Sequence, residues 1–298
     1  MLNVEHGRTS YSGPIIDSHT FYKYEKDPFG QMEASPPFFD LPQFEDTSFL
    51  TIATSALLNR EVLDEVLKNP RILGTYLMFN PNPDGMLEHS KEDSPREIQM
   101  LAEQPYVVGL KTLPALSKVK LDSPLHNPYW RIASQIGIPV LIHFSGSAQI
   151  HASPEMLKKV MEFNPYLKVI AAHFGGLNPS YMEKMVRLAE EKQNLYLNTT
   201  GMAQADSPLR FSPENGKSEL VENEPDSMDK EILSVFFDAM GRVGDRVLFG
   251  SDLGYHPVKE YSHWPVNKLP EDLQQQVFLD NAVLLFGERM KKERKITS

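Results

Sequence analysis

Four side chains in this sequence stand where an apolar run stops. His19 ends IIDSH, His143 ends PVLIH, His173 ends KVIAAH, and Asp252 follows VLFGS. Imidazole titrates near neutral pH, so each histidine is suited to proton transfer, metal ligation or polarising a carbonyl. A carboxylate beside them suits ligation, orientation of an imidazole, or taking a proton from water. One histidine at such a place is most often structural. Four imidazole or carboxylate groups at four such ends point to a shared site. Cysteine is absent, which excludes disulfides and thiolate chemistry and leaves His, Asp and Glu to hold any metal.

Further polar groups accompany the four. Lys111 ends VVGLK and is suited to holding a substrate carboxylate, with pairing to a neighbouring acid as the competing reading. Arg210 lies in a polar stretch and would clamp an anion in the same way. His256 follows Asp252 by four residues, beside Tyr255, and would enter the same site. Asp17 alternates onto the face of His19, either as a hydrogen-bonding support for a catalytic group or as a structural residue at a barrel bottom.

The elements that must position these groups are short β-rich runs at 15–21, 49–57, 72–79, 107–112, 139–144, 168–173, 195–199 and 246–251. Amphipathic helical patterns fill the gaps at 59–68, 95–104, 128–137, 154–163, 179–192 and 229–243, and a last one covers 270–286. Proline opens several of them, as expected at a first helical position. Strands alternating with helices predict parallel βαβ units. Eight units predict a single-domain (β/α)8 TIM barrel with its core over 15–287. An open doubly wound sheet is the alternative, but it usually carries a glycine-rich turn after its first strand; this chain reads His19-Thr20-Phe21-Tyr22 there. In a barrel, catalysis sits at the C-terminal ends of the strands, so the four groups would face one mouth. Insertions at 23–46 and 201–227 follow strands and are expected to cover that mouth. The first holds Phe29, Phe38, Phe39 and Phe44, which point to an apolar or aromatic ligand or anchor the loop itself.

The chain has 298 residues, 41% of them hydrophobic and 23% charged, so disordered and fibrous classes are out. Its 30 basic and 40 acidic residues give a net charge of −10, which argues against nucleic acid or an anionic membrane as partner. The basic run at 291–295 ends a helical pattern and complements its dipole. No apolar run approaches the ~20 residues of a membrane span. The N-terminus lacks a basic region followed by an apolar one, so no signal peptide is expected. A small molecule is the expected partner, the cytoplasm the expected location, and a homodimer the base-rate assembly.

The pieces IIDSHTF, VVGLKTL, GIPVLIHFSG, LKVIAAHFGG, LYLNTTG, DRVLFGSD and DNAVLLFG run in order from residue 15 to 287. Together they resemble the amidohydrolase superfamily, most closely its amidohydrolase-related branch of metal-dependent hydrolases and decarboxylases. The resemblance implies the same barrel and a divalent metal, zinc by expectation. It would place His19 on the first position of a strand-1 His-x-His pair, with Phe21, which cannot ligate, on the second. His143 would be a ligand, His173 a ligand or a base near the bound water, and Asp252 a ligand or proton acceptor. His19, His143 and Asp252 then remain as three metal ligands, and the ion should be labile. The metal-free alternative has Asp252 orienting His143 or His173 while an imidazole acts as general base. Some amidohydrolases carry a carboxylated strand-4 lysine between two ions. That arrangement wants both strand-1 histidines, so Lys111 is expected to remain a cation at the mouth. The implied activity is hydrolysis of a C–O or C–N bond in a small, carboxylate-bearing substrate. Non-oxidative decarboxylation and a non-catalytic ligand-binding barrel are the alternatives.

Overall fold

The computed structural model describes residues 11–21, 44, 46–53, 55–82, 91–144, 150–202, 209–212, 217–220, 227–252, 263 and 265–290. Eight parallel strands form the central sheet: β1 Ile15–Phe21, β2 Thr47–Ile52, β3 Ile72–Met78, β4 Val107–Thr112, β5 Val140–Ile142, β6 Val169–Ala171, β7 Leu195–Asn198 and, after the hairpin β8 Leu209–Ser212 and β9 Lys217–Leu220, β10 Val247–Leu248. Each pairs with the next in chain order, and β7 pairs with β10. The ring closes through the backbone: Ser18 N–H donates to the Phe249 carbonyl at 3.0 Å, and Asp252 N–H to the His19 carbonyl at 3.0 Å. The expected TIM barrel is the observed fold.

Helices α1 Asn59–Lys68, α2 Pro95–Ala102, α3 Pro114–Ser117, α4 Asn127–Ile136, α5 Pro154–Phe163, α6 Pro179–Glu191, α7 Ser227–Val243, α8 Glu271–Gln275 and α9 Asn281–Phe286 surround the strands. Several start as the sequence dictates, with a polar cap before proline. Ser94 accepts from Glu97 N–H at 3.4 Å, Ser153 from Met156 N–H at 3.3 Å, and Asn178 from Ser180 N–H at 3.1 Å. Among the described residues no helix is long and apolar enough to cross a membrane.

Several local expectations shift, among them the eighth strand, which spans only Val247–Leu248. The second strand ends at Ile52, because Ala56–Leu58 turn into a short 3-10 segment leading into α1. The last helix is interrupted by a π turn over Gln276–Asp280. The stretch 201–227 contains the antiparallel hairpin β8–β9, with Arg210 opposite Glu219. Strands of four residues are too short to reveal their alternation in sequence. Phe44 is buried edge-on against Phe49 at 5.7 Å, so at that position the aromatic residue anchors chain to the barrel. Phe29, Phe38 and Phe39 lie outside the described residues.

Inside the barrel, Gly109 has its role from space: a Cβ there would lie 2.7 Å from both the Pro139 carbonyl oxygen and the Tyr76 ring. Outside it, Phe79 stacks on Tyr129 at 4.1 Å, and His126 lies flat on Trp130 at 4.9 Å. Burial lowers the His126 imidazole to about 4. Its unfolded value is about 6.5, so between those limits the unfolded chain binds more protons. The stability this group contributes is therefore whole above about pH 6.5 and is lost as pH falls towards 4, a change of about 3 kcal/mol. Urea unfolding at pH 7 and pH 4 should show that loss, and His126→Phe should reduce it. An equal loss in both proteins would exonerate His126.

Candidate active site at the barrel mouth

His19 lies in a stretch of β1 where the pairing with β2 shifts register between Asp17 and Thr20, and its N–H is held by the Asp17 carboxyl. Lys111 is the fifth residue of β4, and His143 follows β5 directly. His173 and Asp252 need more than a strand end. Both sit in left-handed backbone, with φ of 55° and 63°. Side chains with a Cβ seldom adopt that region, and they hold it where surrounding structure enforces it. The sharp turns bring His173 over the mouth from β6 and bring Asp252 back from β10 towards β1.

The groups meet there. His173 Nε2 lies 3.0 Å from His143 Nδ1, and His173 Nδ1 lies 3.1 Å from the Thr200 carbonyl oxygen. A carbonyl only accepts, so Nδ1 of His173 carries the proton. In the neutral ring Nε2 then accepts from His143 Nδ1–H, which leaves the lone pair of His143 on Nε2. His19 Nε2 lies 3.3 Å from Asp252 Oδ1 and 3.4 Å from Lys111 Nζ. Its Nδ1 is 2.8 Å from the Thr200 hydroxyl. The rings of His19 and His173 are 5.9 Å apart. His19, Lys111, His173 and Asp252 are buried, whereas His143 is half-buried and is the member that opens to the mouth.

Burial dominates the electrostatics. It holds the His19 and His143 imidazoles well below the usual histidine range, helped by the cation of Lys111. Both rings are therefore neutral. It also raises Asp252 and lowers Lys111, and the opposite charge of each works against its partner's shift. Asp17 accepts from His19 N–H at 3.2 Å and from Ser251 N–H at 3.0 Å, yet burial still pushes its carboxyl up to about 7. Asp17 thus ties β1 to the segment that carries Asp252, rather than sitting at the barrel bottom.

Thr200, Asn198 and Ser18 were not singled out from the sequence. Thr200 touches both His19 and His173. Asn198 Oδ1 accepts Thr200 N–H at 2.9 Å, its Nδ2 donates to Ser18 Oγ at 2.8 Å, and Ser18 Oγ donates to the Phe249 carbonyl at 2.5 Å. The available signal was the polar run Asn198-Thr199-Thr200-Gly201 directly after the apolar LYL. Thr200→Val should lower kcat about 10- to 100-fold, as the loss of such an orienting partner usually does, with KM little changed. Steady-state kinetics on the identified substrate check it, and an unchanged kcat would remove the Thr200 hydroxyl from the machinery, the variant keeping the carbonyl that accepts from His173. Arg210 falls on β8, where only the backbone is described, and His256 lies outside the described residues, as does most of the stretch 23–46.

Whether a divalent ion fits is decided by the donors. The 3.3 Å between His19 Nε2 and Asp252 Oδ1 matches two ligands of one tetrahedral ion with bonds of about 2.0–2.1 Å. The third expected donor does not join them. His143 turns Nδ1 to His173, Lys111 Nζ stands against the Nε2 of His19, and the Phe21 ring, 5.8 Å from that of His19, takes the position of the implied second strand-1 ligand. Among the described residues, no three His, Asp or Glu side chains are grouped to hold a metal. The donor set does not fit the three-ligand zinc site.

The family model described as an amidohydrolase matches residues 37–287. The search of curated proteins found no match. Among solved structures, a 2,6-dihydroxybenzoate decarboxylase from Rhizobium is 13% identical, with a TM-score of 0.62 over 93% of this chain and 99% of its own. A probable 2-pyrone-4,6-dicarboxylic acid hydrolase from Acinetobacter baumannii, with citric acid bound, is 17% identical, with a TM-score of 0.60 over 92% and 99%. A 5-carboxyvanillate decarboxylase from Novosphingobium aromaticivorans, complexed with manganese and 4-hydroxy-3-methoxy-5-nitrobenzoic acid, is 12% identical, with a TM-score of 0.59 over 95% and 98%. At these identities the three show that the fold is shared.

Proposed function

The chain belongs to the amidohydrolase family, and on that premise we propose that it is a hydrolase of a small, carboxylate-bearing substrate, with His143 as general base. The observation that carries this reading is the relay from half-buried His143 through His173 to the Thr200 carbonyl. The Nε2 lone pair of His143 takes a proton from water as the water oxygen attacks the substrate's carbonyl carbon, and the carbonyl electron pair moves onto its oxygen. Collapse of that adduct expels the leaving oxygen or nitrogen, which takes the proton back from His143 Nε2. The hydrogen bond from His143 Nδ1–H to His173 fixes the tautomer and stabilises the transient imidazolium. Lys111 supplies positive charge near an anionic substrate and its developing oxyanion. Arg210 and His256 are proposed to hold the substrate carboxylate. The family resemblance implies zinc on His19, His143 and Asp252, but the donors do not fit it, since His143 Nδ1 is turned to His173 and Lys111 Nζ stands against His19 Nε2.

Decarboxylation is the second reading, favoured by the two decarboxylases among the similar structures. There the carboxylate carbon leaves as CO2 and the carbon left behind takes a proton from protonated His143. Incubation with lactone and aryl carboxylates in H2 18O separates the two. Hydrolysis places one labelled oxygen in the product, whereas decarboxylation releases CO2 and places a solvent hydrogen on carbon. Turnover of neither class would overturn the enzymatic reading.

A further inference from the structure

We propose that the ammonium of Lys111 takes the place of the divalent cation at this mouth, so that the site is built to work without a metal. The inference rests on the reading that the mouth is the reaction site. Lys111 Nζ lies 3.4 Å from His19 Nε2, the nitrogen that would ligate an ion. The side chain is fully buried, and Asp252 Oδ1 lies 3.3 Å from the same His19 nitrogen, close enough for the carboxylate to act on the ammonium electrostatically. A buried lysine is held only with a compensating partner, and here the partner is the carboxylate that would otherwise serve the metal.

The charge count leads to the same place. Lys111 and Asp252 offset each other, the imidazoles are neutral, and Asp17 behind them is pushed up to about 7 by burial. A divalent ion brought in here would stand directly against the ammonium of Lys111 in a buried site. The remaining changes agree with this. Phe21 stands where a second imidazole would be needed, and the near nitrogen of His143 is committed to His173. The electrostatic role of a metal, positive charge next to a developing oxyanion, is then filled by a side chain.

The test is zinc binding, read by calorimetry and by metal analysis of dialysed protein, with the unfolding midpoint as a second readout. The wild-type protein should hold less than about 0.1 zinc per chain, and zinc or chelator should leave its midpoint unmoved. Lys111→Met and the double variant Phe21→His/Lys111→Met, each checked for native circular dichroism, should gain zinc, with the double variant approaching one ion per chain. Stoichiometric zinc in the wild type that His19→Ala removes would overturn the proposal. So would the absence of zinc from folded Lys111→Met and from the double variant, since the exclusion would then not come from Lys111. None of these readouts needs a substrate, so failure of the hydrolase reading shows separately, in the labelling experiment.

Discussion

His143→Ala should lower kcat/KM by about 10²- to 10⁴-fold, the range that removal of a positioned general base usually produces. The side chain is half-buried at the mouth, and its hydrogen-bond partner among the described residues is His173. The fold should therefore survive, and circular dichroism with thermal melting will show whether it does. His173→Ala is the informative partner. It removes the acceptor that fixes the His143 tautomer, but leaves the base itself, so its loss should be smaller, about 10- to 100-fold. The double variant should be little worse than His143→Ala alone, because groups acting as one unit are not additive. A His173→Ala loss larger than that of His143→Ala would reverse the assignment and make His173 the base. Full activity in both variants would place the chemistry elsewhere.

Gly250→Ala should damage both stability and turnover from a position that touches no substrate. A Cβ there would lie 2.6 Å from Asn198 Oδ1, 2.7 Å from Asn198 Nδ2 and 2.7 Å from Thr200 Oγ1. These atoms have no slack. Asn198 is held between Ser18 and the Thr200 amide, and Thr200 holds His19 and His173. The added methyl must displace one of them, at a cost of about 1–3 kcal/mol for overpacking. Because both histidines hang on Thr200, kcat should fall about 100-fold, the scale at which a small misplacement acts. Gly137→Ala is the control. Its φ is 81° with nothing within 4 Å of a new Cβ, so it should lose about 1 kcal/mol and no activity. Equal kinetic effects in the two variants would show that the Gly250 result is merely instability.

Much of the architecture was legible because it is written in local patterns. Apolar runs such as VVGL and KVIA mark strands buried on both faces, and serine or asparagine before proline marks helix starts. Boundaries moved where tertiary contacts override propensity, as at Ile52 and over the π turn Gln276–Asp280. The hairpin β8–β9 was invisible because its strands are shorter than a recognisable alternation.

For the site, the sequence by itself determined which groups end the strands and therefore share one mouth: His19, Lys111, His143, His173 and Asp252. Which of them touch is a matter of long-range register. His143 meets His173 from 30 residues away, and Thr200 meets His19 from 181 away. Such pairings depend on barrel closure and on the left-handed turns at His173 and Asp252, which no local pattern encodes. The direction of Lys111 is the clearest case. As a residue type it suited either an incoming carboxylate or a neighbouring acid, and only the packed barrel sets it on the same His19 nitrogen as Asp252. The physical reason is burial: away from water, a cation must lie where a fixed charge of opposite sign already is.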